Sequence, residues 1–400
     1  MITYNKGNVN KGILNHNKIW YNIKHMKDRT WQEINLKNLK HNYDLVCEYA
    51  KDKTIIPMIK DNAYGHGSVR VAKLLEKEEK VKAFAVATVT EAKELRDNGI
   101  KKDIILIGHT YKGCFEEAIK NNFILTISTI DQAILINEIA KKLGKKARIE
   151  IAIDSGMKRI GFLISDESLN SIKKISLLEN ITIYGAFSHF SVADSDINDV
   201  DSIKYTDNQE KTFFEFINKI KEQGISLSDI SLSNSAGILR KRGMEATSVR
   251  PGIILYGISP SPYFKGVDLR PIMSLKSKIV HIKEIPENSP ISYGRTFVSD
   301  KRMKIATVCC GYGDGYPRTA SNVAKVIIND EMCDIIGRVT MDMLVVDVTN
   351  VECDIYDEVI LIGESKGHKI TLDDLCKATN EFTYEILTRI NKRVEQIYIE

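Results

Sequence analysis

The feature that most constrains this chain is an alternation. Short, β-branched apolar runs recur between longer stretches with helical spacing, from about residue 55 to about residue 250. The runs are 55–59, 83–89, 104–108, 124–128, 149–153, 181–188 and 230–232, with a short eighth at 247–250. Between them lie segments such as 71–76, 91–98 and 209–223. In the last of these Phe213, Phe216, Ile217 and Ile220 share one helical face. Strand–helix repetition builds a parallel sheet, and eight such units predict an α/β fold with an N-terminal (β/α)8 TIM barrel.

After about Pro260 the pattern changes. Residues 273–285, 304–309, 324–329, 335–338, 343–348 and 358–362 read as strands separated by Gly, Asp and Pro turns, and only 372–379 and 381–389 read as helices. The expected organisation is therefore a polar, Asn-rich, poorly ordered extension over 1–28, a barrel over 29–265 and a C-terminal, mostly-β domain over 266–400. The 400-residue length suits two domains, and a net charge of +4, evenly spread, argues against a nucleic-acid partner. Seven cysteines, an odd number without zinc-like spacing, predict no disulfide framework and no metal site, and point to a reducing compartment. No apolar run suits a membrane span or a secretory leader, so the expected location is the cytoplasm.

The sharpest local signal is Pro57-Met58-Ile59-Lys60-Asp61-Asn62-Ala63-Tyr64-Gly65-His66-Gly67. A lysine directly after an apolar strand lies at the C-terminal mouth of a parallel barrel, where barrel active sites sit. Partial desolvation there lowers its pKa, which suits Schiff-base chemistry. The paired glycines after Tyr64 suggest an unusual turn or a close backbone approach.

Further segments follow in order. They are Asp154-Ser155-Gly156-Met157-Lys158-Arg159-Ile160-Gly161, Ser188-His189-Phe190, Asn234-Ser235-Ala236-Gly237, Val249-Arg250-Pro251-Gly252-Ile253 and Ile291-Ser292-Tyr293-Gly294. Gly313-Asp314-Gly315-Tyr316-Pro317-Arg318 and Gly337-Arg338-Val339-Thr340-Met341-Asp342 complete the series. Taken singly, most have an ordinary reading as a cap, an ion pair or a turn. Taken together, from about Thr30 to Val394, the chain resembles the alanine racemase family, pyridoxal-5'-phosphate (PLP) enzymes of fold type III.

The resemblance implies an amino-acid racemase acting on a small-molecule substrate, alanine with serine as the alternative, with PLP joined to Lys60 as a Schiff base. It implies that Tyr64, Asn234, Ser235, Gly252 and Ile253 hold the cofactor, the last three and Tyr64 around its phosphate, and that His189 packs on its ring. Arg250 is implied to face the pyridine nitrogen and Arg159 the phenolic oxygen and the substrate carboxylate. Tyr293 is implied to be a second base opposite Lys60, supplied with Met341 by the partner of a head-to-tail homodimer. The cellular role implied is D-alanine supply for peptidoglycan.

Three positions depart from the family pattern. Ala152 stands where many members carry a carbamylated lysine that braces the active-site arginine, and Thr340 where many carry cysteine. Lys392 stands where many carry a tyrosine on the PLP phosphate; the serine/alanine racemases linked to vancomycin resistance also lack that tyrosine, so measurable serine activity is expected. Two rival readings are a non-catalytic PLP-homeostasis barrel, which would lack the second domain, and a basic amino-acid decarboxylase, which would place an acid where Arg250 stands.

Overall fold

In the computed structural model, which describes residues 29–400, the eight apolar runs form eight parallel strands. We label them β1 (Thr54–Ile55), β2 (Ala83–Val86), β3 (Asp103–Leu106), β4 (Ile124–Ile127), β5 (Ala147–Asp154), β6 (Ile181–Phe187), β7 (Asp229–Ser231) and β8 (Ser248–Val249). They pair in the order β1-β8-β7-β6-β5-β4-β3-β2. Parallel bridges at Ile55↔Val81 and Met58↔Ala85 join β1 to β2, which closes the barrel. The expected extension over 1–28 lies outside the described residues.

Alternation along each strand separates two layers. On β5, Ile149, Ile151 and Ile153 join the large cluster beneath the helices, which leaves Arg148, Glu150 and Ala152 to the barrel axis. The axis holds an apolar cluster of Ile56, Ala83, Ala85, Ile105, Ile124 and Tyr184. Beside it lie Glu150, Asp229, Ser231, Ser248 and Arg250, all buried. The helices start where capping chemistry allows. Thr88 caps Val89–Asp97 with Glu91 returning the bond, and Thr129 caps Ile130–Lys142.

The second domain is a mixed sheet around the long strand Met273–Ile285, which pairs antiparallel with Met303–Val308 and with Glu358–Ser365. Two features differ from expectation. Trp31–Asn35, which the sequence pattern groups with the barrel, is hydrogen-bonded into this second sheet, antiparallel to Met273–Ile285 and parallel to the last strand, Glu395–Ile399. Residues 335–338 form no strand. The strand there is Glu331–Asp334, and Ile335 makes a single bridge to Val346 before Gly337 turns the chain at φ 70°. Among the described residues no helix is long and apolar enough to cross a membrane.

Candidate active site

The segment leaving β1 adopts a conformation that L-residues avoid. Asp61, Asn62, Ala63 and Tyr64 all have φ of 52–54°, so four consecutive non-glycine residues make a left-handed turn. Each costs roughly 1–2 kcal/mol, and such a turn persists only where its surroundings hold it. The Asp61 amide donates to Glu91 Oε1 at 2.6 Å, and the Ala63 amide to the Ile59 carbonyl at 3.0 Å. The Ser68 amide donates to Asn62 Oδ1 at 3.0 Å. His66 is fully buried below, its Nδ1 donating to the Ala63 carbonyl at 2.9 Å and its ring stacked on Tyr256 with centroids 4.7 Å apart. Burial lowers His66 to about 4, so it is neutral near pH 7.

The second domain closes on the same turn. A Cβ on Gly65 would stand 2.5 Å from the Leu387 carbonyl oxygen, and one on Gly67 1.8 Å from the Tyr398 hydroxyl. Gln396 donates to the Gly65 carbonyl at 2.8 Å. The two glycines are required both for this approach and for their positive φ. Lys60, at the start of the turn, is half-buried. Burial and the Arg159 charge lower its pKa, while Glu91 and Asp61 oppose that shift.

Across the barrel mouth, the loops after β6, β7 and β8 supply the other groups. His189 is pushed down to about 3 by burial and by the charges of Arg250, Arg159 and Lys60, so it is an uncharged imidazole. Asn234 Nδ2 lies 3.4 Å from His189 Nε2, and its Oδ1 caps the helix Ser235–Leu239. The Gly252 amide donates to Ser235 Oγ at 3.0 Å. A Cβ on Gly252 would stand 2.8 Å from the Tyr64 hydroxyl, so the phenol and this backbone occupy one cradle that a side chain would fill. Ile253 follows Gly252 at the head of the short helix Ile253–Tyr256.

Arg250 is buried and donates to Ser231 Oγ and to the Ser188 carbonyl, with its guanidinium over the Phe187 ring at 5.0 Å. Burial lowers its pKa to about 10 against the opposing pull of Glu150 and Asp229, so it stays protonated at pH 7.

These groups suit PLP. Amide and hydroxyl donors at Tyr64, Ser235 and Gly252 fit a phosphate, the neutral His189 fits a ring face, and the fixed Arg250 donors fit a ring nitrogen.

The structure thus brings Lys60, Tyr64, His189, Asn234, Ser235, Arg250, Gly252 and Ile253 to one mouth of the barrel. Arg159 is exposed on the loop after β5, and its charge reaches Lys60, His189 and Arg250. Among the described residues it has no hydrogen bond or ion pair, and Ala152 is buried, so no carboxylate here takes the place of the family's modified lysine. Lys392 is exposed and likewise has no partner among the described residues. Tyr293 and Met341 lie on the second domain, 73% and 53% exposed, and no hydrogen bond or ion pair among the described residues links either to Lys60. Sequence reading missed Glu91, His66, Tyr256, Glu150 and Asp229. It also missed Tyr384, whose ring lies 5.9 Å from that of Tyr64.

The family model described as "Alanine racemase, N-terminal domain" matches residues 34–260, and "Alanine racemase, C-terminal domain" matches 272–398. The chain belongs to the alanine racemase family. It is 40% identical to an alanine racemase of Clostridium novyi, over 94% of this chain and 97% of that one. It is 38% identical to one from Methanococcus maripaludis, over 92% and 98%. The solved alanine racemase of Clostridium difficile 630 superposes with a TM-score of 0.88 at 41% identity, covering 94% of this chain and 97% of that one. Another family member, from Bacillus anthracis with bound L-Ala-P, gives 0.86 at 31% identity, covering 94% and 96%.

Proposed function

We propose that the chain interconverts L- and D-alanine with PLP held at Lys60, that Lys60 and Tyr293 exchange the Cα proton on opposite faces, and that a second copy of the chain completes each site. The observation that carries this reading is a half-buried lysine and a buried, hydrogen-bonded arginine at one barrel mouth, the charges of both reaching the uncharged His189. PLP, when bound to an amino acid, acidifies its Cα–H.

Each residue has a task in this reading. Lys60, its pKa lowered by burial and by Arg159, gives up its proton more readily than a free lysine and so can act as a base. Arg250 keeps its proton, so it would donate a hydrogen bond to the ring nitrogen without protonating it. A donor of that kind would favour return of the proton to Cα over transamination. His189, uncharged, would hold the ring face without adding a positive field. Arg159, exposed at the mouth and without an internal partner among the described residues, is free to take the substrate carboxylate.

Tyr293 and Met341 are half of the case for a dimer. The loops at 292–295, 311–313 and 338–341 are tied together by Ser292 Oγ donating to the Arg338 carbonyl at 2.7 Å and by the Tyr312 and Gly313 amides donating to the Thr340 and Met341 carbonyls. They leave Tyr293, Tyr312 and Met341 exposed, and a cluster of exposed apolar and aromatic side chains marks a partner surface. The D-alanine formed would supply peptidoglycan assembly. The exposed Lys392, where a tyrosine would wall the pocket, favours serine as a slower second substrate.

The test follows L-alanine and L-serine through racemisation in deuterium oxide. Tyr293→Phe should keep cofactor absorbance and exchange the Cα hydrogen of one enantiomer, while racemisation falls roughly 100-fold or more. Normal racemisation of both enantiomers by this variant would sink the two-base reading.

A further inference from the structure

Glu91 opens the helix Val89–Asp97, and its carboxylate is shared between two structures. Oε2 accepts the Ala87 amide at 2.8 Å and the Thr88 amide at 3.0 Å, while the Thr88 hydroxyl accepts the Glu91 amide at 3.2 Å. That reciprocal cap accounts for one oxygen. The other, Oε1, accepts the Asp61 amide at 2.6 Å from a residue 30 positions earlier. Asp61 is the first left-handed residue of the turn and the neighbour of Lys60. One carboxylate therefore closes the start of a helix and holds the strained turn that presents the amine.

Its charge matters as well as its shape. The charged and titratable groups that act with Lys60 are Arg159, Glu91, Asp61 and His189. Arg159 lowers the amine's pKa, and Glu91 opposes it more than Asp61 does. Asp61 is itself raised by burial and by Glu91.

We propose that Glu91 is a positioning residue for Lys60: it pins the left-handed turn to the next β/α unit and sets a negative charge against the amine. A lysine that alternately holds the cofactor and is released must return to one place, and a strained turn without an anchor has other conformations open to it. The proposal rests on Lys60 being the cofactor's anchor.

The experiment strips full-length wild type, Glu91→Gln and Thr88→Ala of PLP with hydroxylamine, then follows PLP re-association by absorbance across pH. The wild-type rate rises as Lys60 loses its proton and shows an inflection. Glu91→Gln should move that inflection down by roughly half a pH unit and speed PLP loss roughly ten-fold. Thr88→Ala breaks the cap but leaves the carboxylate, so its inflection should stay with the wild type. An unmoved inflection in Glu91→Gln, or an equal shift in Thr88→Ala, overturns the proposal. A wild-type absorbance change that survives Lys60→Ala would overturn the assignment of Lys60 itself, and this proposal with it.

Discussion

Replacing Glu150 by Gln should flatten the pH dependence of stability between about pH 4.5 and pH 8. Glu150 is 0% exposed, on the axis of the barrel, and pairs through Gly185 with Asp229 two strands away. Among the described residues neither of its carboxyl oxygens has a hydrogen-bond partner. Burial and the Asp229 charge push its pKa up from 4.5 to about 8, with Arg250 and Lys82 pulling the other way. The folded protein therefore holds this proton more tightly than the unfolded chain does. The stabilisation is complete below the unfolded value, is lost as pH rises through the window, and is gone above the folded value. One unit corresponds to about 1.4 kcal/mol, so the full rise bounds the effect at roughly 5 kcal/mol. Water in a polar barrel axis would hydrate the carboxylate and reduce this, which leaves a working figure of about 2 kcal/mol. Denaturant midpoints measured at pH 5 and pH 8.5 read it directly. Wild type should lose about that much more stability than the Gln variant on going to the higher pH. Parallel behaviour of the two proteins would refute the reasoning, because a constant difference reflects only the swap of hydroxyl for amide.

Other perturbations separate the parts of the site. Gly252→Ala puts a methyl 2.8 Å from the Tyr64 hydroxyl, so PLP affinity should fall roughly 10- to 100-fold with circular dichroism unchanged, as equilibrium dialysis would check. Arg250→Lys keeps a charge but cannot span both Ser231 Oγ and the Ser188 carbonyl, so kcat/KM for alanine should fall roughly 100-fold in a coupled D-alanine assay. Mixing Lys60→Ala and Tyr293→Phe chains, each inactive alone, should restore up to roughly a quarter of the wild-type rate if subunits exchange at random. No recovery after confirmed exchange would place both residues of a site in one chain.

Much of this was legible in the sequence for a definite reason. Each barrel strand is a short β-branched run bounded by a helix, so periodicity located all eight, and it matched the strand Met273–Ile285 and the helix Leu372–Thr379 end for end. Lys60, His189, Arg250 and Gly252 follow strands, and a parallel barrel gathers strand ends at one mouth. Pairing partners were not legible. Trp31–Asn35 falls outside the alternating pattern, and nothing local says that its neighbours are Met273–Ile285 and Glu395–Ile399, both remote in sequence. The left-handed turn was hinted at only by its two glycines, because Asp61 and Asn62 belong to types that take positive φ as single residues and Ala63 and Tyr64 to types that rarely do.

The residues missed inside the barrel have a more instructive cause. Ile-Glu-Ile-Ala-Ile-Asp over 149–154 alternates like a strand with one wet face, yet all six residues are buried. In a closed parallel barrel the second face is the axis, so polar residues in the alternation fill it instead of meeting solvent. Here they lie around Arg250. Ser231 accepts its hydrogen bond, Ser248 donates to Asp229, and Asp229, joined by Glu150 once that group ionises, opposes its desolvation. An arginine so deeply buried is held at about 10 against a strong penalty. Filling the axis with apolar side chains would pack better and would remove the counter-charges that favour the protonated form. The polar axis therefore gives up packing to keep one guanidinium charged at the barrel mouth, which the proposed ring-nitrogen contact requires.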